Sequence, residues 1–106
     1  MGQAGVPELA QSMKVEWSNE ALADLDRFVE FLDREHPSLA AIVATEIIEK
    51  VRVLSEHPQL GRPIAGREEY RQIVLQVLGA AYVFQYRFDS QSLVMLRVYH
   101  ARESRE

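Results

Sequence analysis

The feature that most constrains this chain is a change of hydrophobic period across one short break. Up to Ser55 the apolar residues recur at three- and four-residue spacing, and beyond Gly66 they tend to alternate. Helices and strands present their faces with periods of 3.6 and 2, so the two halves cannot build the same kind of element. The break itself, "HPQLGRPIAG" (57–66), holds two prolines and two glycines and carries no helical pattern. Helices before such a break and strands after it point to an α+β domain.

Before the break, "MKVEW" is a short β-type run from Met13. Ser18 then stands as an N-cap, with Glu20 in the first turn of a helix. Leu22, Leu25, Val29 and Leu32, with Phe28 beside them, predict an amphipathic helix to about Arg34, and its opposite face (Asp24, Asp26, Arg27, Glu30) is expected to be solvated. Pro37 suits the first position of a second helix, which runs to about Ser55 and buries Ala40, Val43, Ala44, Ile47, Val51 and Leu54. So short a join predicts an antiparallel helical hairpin. Neither apolar stripe is wide enough for a bundle, so both helices need a sheet beneath them.

After the break come "YRQIVLQV", "AYVFQYRF" and "LVMLRVYH". The second places Tyr82, Phe84, Tyr86 and Phe88 on one face, with Val83, Gln85 and Arg87 on the other. The third places Val94, Leu96 and Val98 opposite Met95, Arg97 and Tyr99, and "DSQS" between the two is a turn. The expected architecture is α+β: an N-terminal strand, an antiparallel two-helix hairpin and a three-stranded antiparallel meander (β-α-α-β-β-β). The sheet is expected to be antiparallel because tight turns join only antiparallel neighbours. Residues 1–12, with Gly2, Gly5 and Pro7, read as a flexible leader, and 13–106 as a single domain.

Composition excludes several classes of function. No apolar stretch approaches the roughly 20 residues of a membrane span, and the first dozen residues do not form a signal peptide, so a cytoplasmic protein is expected. The absence of cysteine removes disulfides, thiolate chemistry and zinc–cysteine sites. His36, His57 and His100 are scattered, and Gly61, Gly66 and Gly79 fit no phosphate-cradling loop, so neither metal nor cofactor is expected. The net charge of −4, from 16 acids and 12 bases, opposes a broad nucleic-acid surface. Ten of those bases are arginines, whose planar fork suits carboxylates as well as phosphates. Arg71, Arg87 and Arg97 fall inside strands, where an arginine is either internally paired or snorkelling, or else aimed at an anionic ligand.

The segments "VEWSNEALADLDRFVEFL", "HPQLGRP", "YRQIVL", "AYVFQYRF" and "LRVYHARE", in this order and spacing, resemble the ParE/RelE superfamily of toxins from bacterial type II toxin–antitoxin modules. The resemblance runs from about Lys14 to Arg102. It implies the same fold and one of two activities. RelE-type members are very basic, ribosome-dependent mRNA endonucleases. ParE-type members poison DNA gyrase, act in plasmid stabilisation and growth arrest, and are neutralised by ParD-type antitoxins. Val83 stands where RelE-like toxins carry an arginine after the tyrosine of the central strand, and the lysines of the preceding strand have thinned to Arg71, so the chain is closer to ParE. The ParE reading implies a binding-type gyrase inhibitor with no catalytic residue of its own, no membrane partner and no direct nucleic-acid binding, which forms a hetero-oligomer with a ParD-like antitoxin. Arg71, Arg97, Tyr99, His100, Arg102 and Arg105 are then the expected target-binding end. The alternative is an mRNA endonuclease with His100 as general acid or base and Arg97 or Arg102 holding the phosphate. Phe28, Leu32, Ile42 and Ile48 lie off the strict core stripes and are expected to meet the antitoxin, because a basic and apolar groove suits an acidic segment that folds on binding.

Overall fold

Helix α1 (Asn19–Glu35) begins where Ser18 ends strand β1 (Lys14–Trp17). In the computed structural model, which describes residues 13–103, Ser18 is extended and its Oγ accepts the Ala21 N–H at 3.0 Å, as expected of the cap. The leader expected at 1–12 lies outside the described residues. Pro37 opens helix α2 (Pro37–Glu56), which buries Ala40, Val43, Ile47, Val51 and Leu54. The inward stripe of α1 is turned from the expected one. Ala21, Leu25, Phe28 and Leu32 pack on the core, and Leu22 is exposed. That rotation carries Asp24 inward to 1% exposure, which overturns its expected place on a solvated face.

The remaining elements are β2 (Arg62–Ile64), β3 (Arg67–Val77), β4 (Ala80–Phe88), β5 (Ser92–His100) and a 3-10 turn at Ala101–Glu103. They form one sheet in the order β1-β5-β4-β3-β2. The strand, helical hairpin and meander are those expected, with two additions. β1 pairs with β5 in parallel, from Lys14 opposite Ser92 to Trp17 opposite Met95, so the sheet is mixed. The tight-turn argument governs only neighbours joined by such turns. Here all the chain from α1 to β4 forms the long connection that parallel pairing requires. The second addition is β2, three residues within the break that pair antiparallel with β3.

The β3–β4 turn is Leu78–Gly79, with φ of 53° and 87°, a two-residue hairpin turn of the primed kind. From it, pairing runs unbroken from Val77 opposite Ala80 to Tyr70 opposite Arg87. Tyr82, Phe84 and Tyr86 face the helices, as expected. β5 departs from strict alternation. Gln85 is opposite Arg97 while Tyr86 is opposite Met95, so Leu96 is an extra residue in a bulge. The bulge lets Met95 and Val98 both enter the core, where unbroken alternation puts them on opposite faces. Ser18 holds it in place: its N–H donates to Met95 O at 2.9 Å and its Oγ donates to Leu96 O at 3.1 Å.

Candidate binding groove

The parallel partner β1 stops at Trp17, opposite Met95, so from there on no described strand pairs with that edge of β5. Asp24 fills that edge from α1. Its Oδ2 accepts the Val98 N–H at 2.9 Å and Arg97 Nε at 2.8 Å, and its Oδ1 accepts Arg97 Nη2 and Arg27 Nη1, each at 3.0 Å. Burial pushes the Asp24 carboxyl up, but the hydrogen bonds from Arg97, Val98 and Arg27 outweigh it and hold the group below its ordinary value. The Arg97 guanidinium is raised in turn by the same pair. This clamp fixes the N-terminal half of α1 relative to the end of β5.

Between those two elements runs a groove of about 550 Å³. Its floor is apolar: Phe28 and Tyr82 meet edge to face at 5.2 Å, with Leu32 and Ala80 beside them. His100 closes one end, its ring 5.3 Å from that of Tyr82. The His100 Nδ1 accepts the Arg102 N–H at 3.0 Å, which places the proton of the neutral ring on Nε2 and folds Arg102 back to the groove wall. Arg27, Phe31 and Arg34, one helical stripe of α1, form the opposite rim, with Glu30 among them. Arg34 and Arg102, with Arg27 sharing its charge with Asp24, outnumber Glu30 around an aromatic floor, a surface suited to an anionic, partly apolar ligand.

The groove brings together residues that the sequence assigned to two separate roles. Phe28 and Leu32, expected at an antitoxin contact, share it with His100 and Arg102, expected at a target contact. The other expected residues lie elsewhere. Tyr99 is on the face of the sheet turned away from α1 and α2, where Gln85 Nε2 approaches its hydroxyl at 3.4 Å and Gln72 Oε1 at 2.8 Å. Arg97 is committed to Asp24. Arg71, 8% exposed, is opposite Tyr86, about 13 Å along β4 from Tyr82. Its guanidinium donates to Glu68 O, Gly61 O, Gln59 O and the Glu68 carboxylate. Ile42 and Ile48 are half exposed on α2, outside the groove, Ile42 in a shallow depression with Thr45. Arg105 lies outside the described residues. Arg27, Phe31, Arg34 and Tyr82 were not singled out from sequence, although their signal was present: 27, 31 and 34 repeat at helical spacing just off the core stripe.

No helix among the described residues is long and apolar enough to cross a membrane, and no cluster of His, Asp and Glu among them could hold a metal ion. The fold matches chains of solved toxin–antitoxin systems. The chromosomal ParDE toxin–antitoxin system from P. aeruginosa contains a chain that superposes with a TM-score of 0.66 at 23% identity, covering 84% of this chain and 96% of that one. A chain of the RelBE2 toxin–antitoxin complex from Mycobacterium tuberculosis superposes at 0.57 and 23% identity, over 85% of this chain and 99% of that one. By sequence, the chain is 33% identical over 91 residues to Y4kP, a candidate toxin of Sinorhizobium fredii, covering 85% of this chain and 90% of that protein. The model of the ParE toxin family, type II toxin–antitoxin system parDE, matches residues 15–105. This chain therefore belongs to the ParE toxin family of type II toxin–antitoxin systems.

Proposed function

We propose that this toxin acts by binding rather than by cutting, with DNA gyrase as its target, and that an acidic segment of a ParD-like antitoxin neutralises it by lying in the α1–β5 groove. The observation that carries the reading is the groove itself, in which an aromatic floor and three arginines meet the end of β5. An amphipathic acidic segment matches that lining in both charge and hydrophobicity, and would gain affinity by folding onto it. Because His100 and Arg102 wall the same groove, the segment would cover the end of the chain expected to face the target. Neutralisation is then direct competition, with no change of toxin conformation needed.

The geometry gives the endonuclease alternative less support. Of its three residues, Arg97 already has Nε and Nη2 on the Asp24 carboxylate, which occupies the paired nitrogens a bidentate phosphate contact would use. The test is a gyrase supercoiling assay with purified toxin, wild type and Arg102→Ala, in parallel with toeprinting on translating ribosomes. Inhibited supercoiling or stabilised cleaved DNA, weakened by Arg102→Ala and relieved by antitoxin, is the expected outcome. Codon-positioned mRNA cleavage with gyrase unaffected overturns the reading.

A further inference from the structure

The two edges of the sheet are protected very differently. β1 presents Lys14 and Glu16, exposed charges 3.7 Å apart. At the other edge β2 carries Arg62 and Pro63, but it covers β3 only as far as Gln72. Beyond that point, among the described residues, β3 has a strand neighbour on one side alone. In the two-residue hairpin closed by Val77 and Ala80, residues 77, 75 and 73 exchange hydrogen bonds with β4, so the N–H and C=O groups of Val74 and Gln76 point outward at the open edge. Natural edges are blunted by charge, proline or a bulge. This one has none of them: from Gln72 to Tyr86 the sequence contains no charged residue, and the β3–β4 register is unbroken.

Exposed apolar side chains collect on the same edge. Val74 and Leu78 are 53% and 54% exposed, and Leu60 is 56% exposed. Leu60 is held out by a buried knot. Tyr86 Oη donates to Pro58 O at 2.7 Å and accepts the Gly61 N–H at 2.9 Å, while Arg71 Nη1 donates to Gly61 O at 2.8 Å. A notch of about 250 Å³ lined by Leu60, Arg62, Gln72, Ile73 and Val74 opens where β2 ends. A rigidly displayed leucine beside an unpaired strand is a surface built to be covered.

We infer that a second copy of this chain pairs with it through the open half of β3, antiparallel and two-fold, joining the two sheets into one. The lack of charge selects this occupant. An acidic partner segment has three arginines to attract it at the groove and no cation on β3 between Gln72 and Leu78, whereas two identical edges meet there without placing like charges opposite each other. With Val74 opposite Gln76 of the other copy, the four outward backbone groups of each strand are satisfied, and the Leu78 turn of each copy reaches the Leu60 notch of the other. The pairing strand residues are not those that line the groove, so both grooves stay open and the dimer is bivalent for its antitoxin.

The test is sedimentation equilibrium of the full chain from low micromolar to near-millimolar concentration, with amide exchange read by NMR. A concentration-dependent dimer is expected, with the Val74 and Gln76 amides protected as it forms. Val74→Lys, which puts two lysines near the two-fold axis, weakens the dimer at least about tenfold while the circular dichroism spectrum stays unchanged. Leu78→Glu is the second variant and has the same effect from the turn. A wild-type chain that stays monomeric throughout the range overturns the inference. So does a dimer unchanged in both variants, or one whose Val74 and Gln76 amides exchange as fast as in the monomer.

Discussion

Asp24 shows at the scale of one side chain how this fold joins its helices to its sheet. A buried carboxylate is costly unless its acceptor sites are filled, and Asp24 receives donors from a backbone amide and two arginines. Removing it leaves the Val98 N–H without its buried partner and Arg97 without its anion. Asp24→Ala is therefore expected to cost about 2–3 kcal/mol in urea unfolding, with Arg97→Ala costing less because half of that side chain is in water. The pH dependence has a definite sign. The folded-state pKa lies below the ordinary value of 3.8, so the carboxylate's stabilisation is complete above that value and is lost as the pH falls through the folded one. The stability difference between wild type and Asp24→Asn should be flat above about pH 5 and shrink below about pH 4, measured by urea midpoints across that range. A difference that instead grows on acidification rules out the stabilising role. None of this was legible in the sequence, because Asp24 is more than 70 positions from its β5 partners Arg97 and Val98 and hydropathy scores a carboxylate as surface.

At the scale of elements, the sequence was most legible where local chemistry decides. The Ser18 cap, Pro37 at the start of α2 and the Asp89 turn, whose Oδ1 accepts the Gln91 and Ser92 N–H groups, all act within a few residues. The parallel place of β1 was not legible, since four residues cannot announce which distant strand they join. β2 was hidden inside a segment read as punctuation. The same "HPQLGRP" segment is nevertheless tightly specified. A Cβ at Gly61 would lie 2.8 Å from Tyr86 Oη and 2.9 Å from Gln72 O, so neither a hydroxyl bonded to two backbone groups nor a strand carbonyl can easily give way. Gly61→Ala is expected to destabilise by about 2–3 kcal/mol in chemical denaturation. Tyr86→Phe should cost about 1–3 kcal/mol, because it leaves a buried N–H without its acceptor. If Gly61→Ala unfolds at the wild-type midpoint, the loop is looser than its hydrogen bonds imply. Two of the residues expected to meet a ligand, Arg71 and Arg97, are hydrogen-bonded within these internal joints, and among the described residues of the β5 end Arg102 and His100 reach the groove.

For the whole molecule, the sign of the net charge and the sign of the groove disagree, and the groove decides what binds there. In the proposed complex, a chain of net charge −4 would repel an acidic partner at long range, while Arg27, Arg34 and Arg102 would attract it within a Debye length. Affinity for an acidic antitoxin segment should then fall with added salt, but only in part, because Phe31 and the part of Leu32 left open would bury apolar surface that salt does not screen. Two substitutions separate these contributions. Arg34→Glu removes rim charge and should act mainly on the association rate, flattening its salt dependence. Phe31→Glu sets a carboxylate on an exposed apolar contact, 53% accessible in the free chain, and should act mainly on dissociation, with affinity lower by about ten- to a hundredfold. Neither residue is in the core, so both variants should keep the wild-type urea midpoint. Surface-plasmon measurements with the cognate antitoxin at low and moderate salt distinguish the cases. If both variants bind as tightly as wild type at each salt concentration, the antitoxin is held elsewhere on the toxin, and competition at the His100–Arg102 end cannot be how it neutralises.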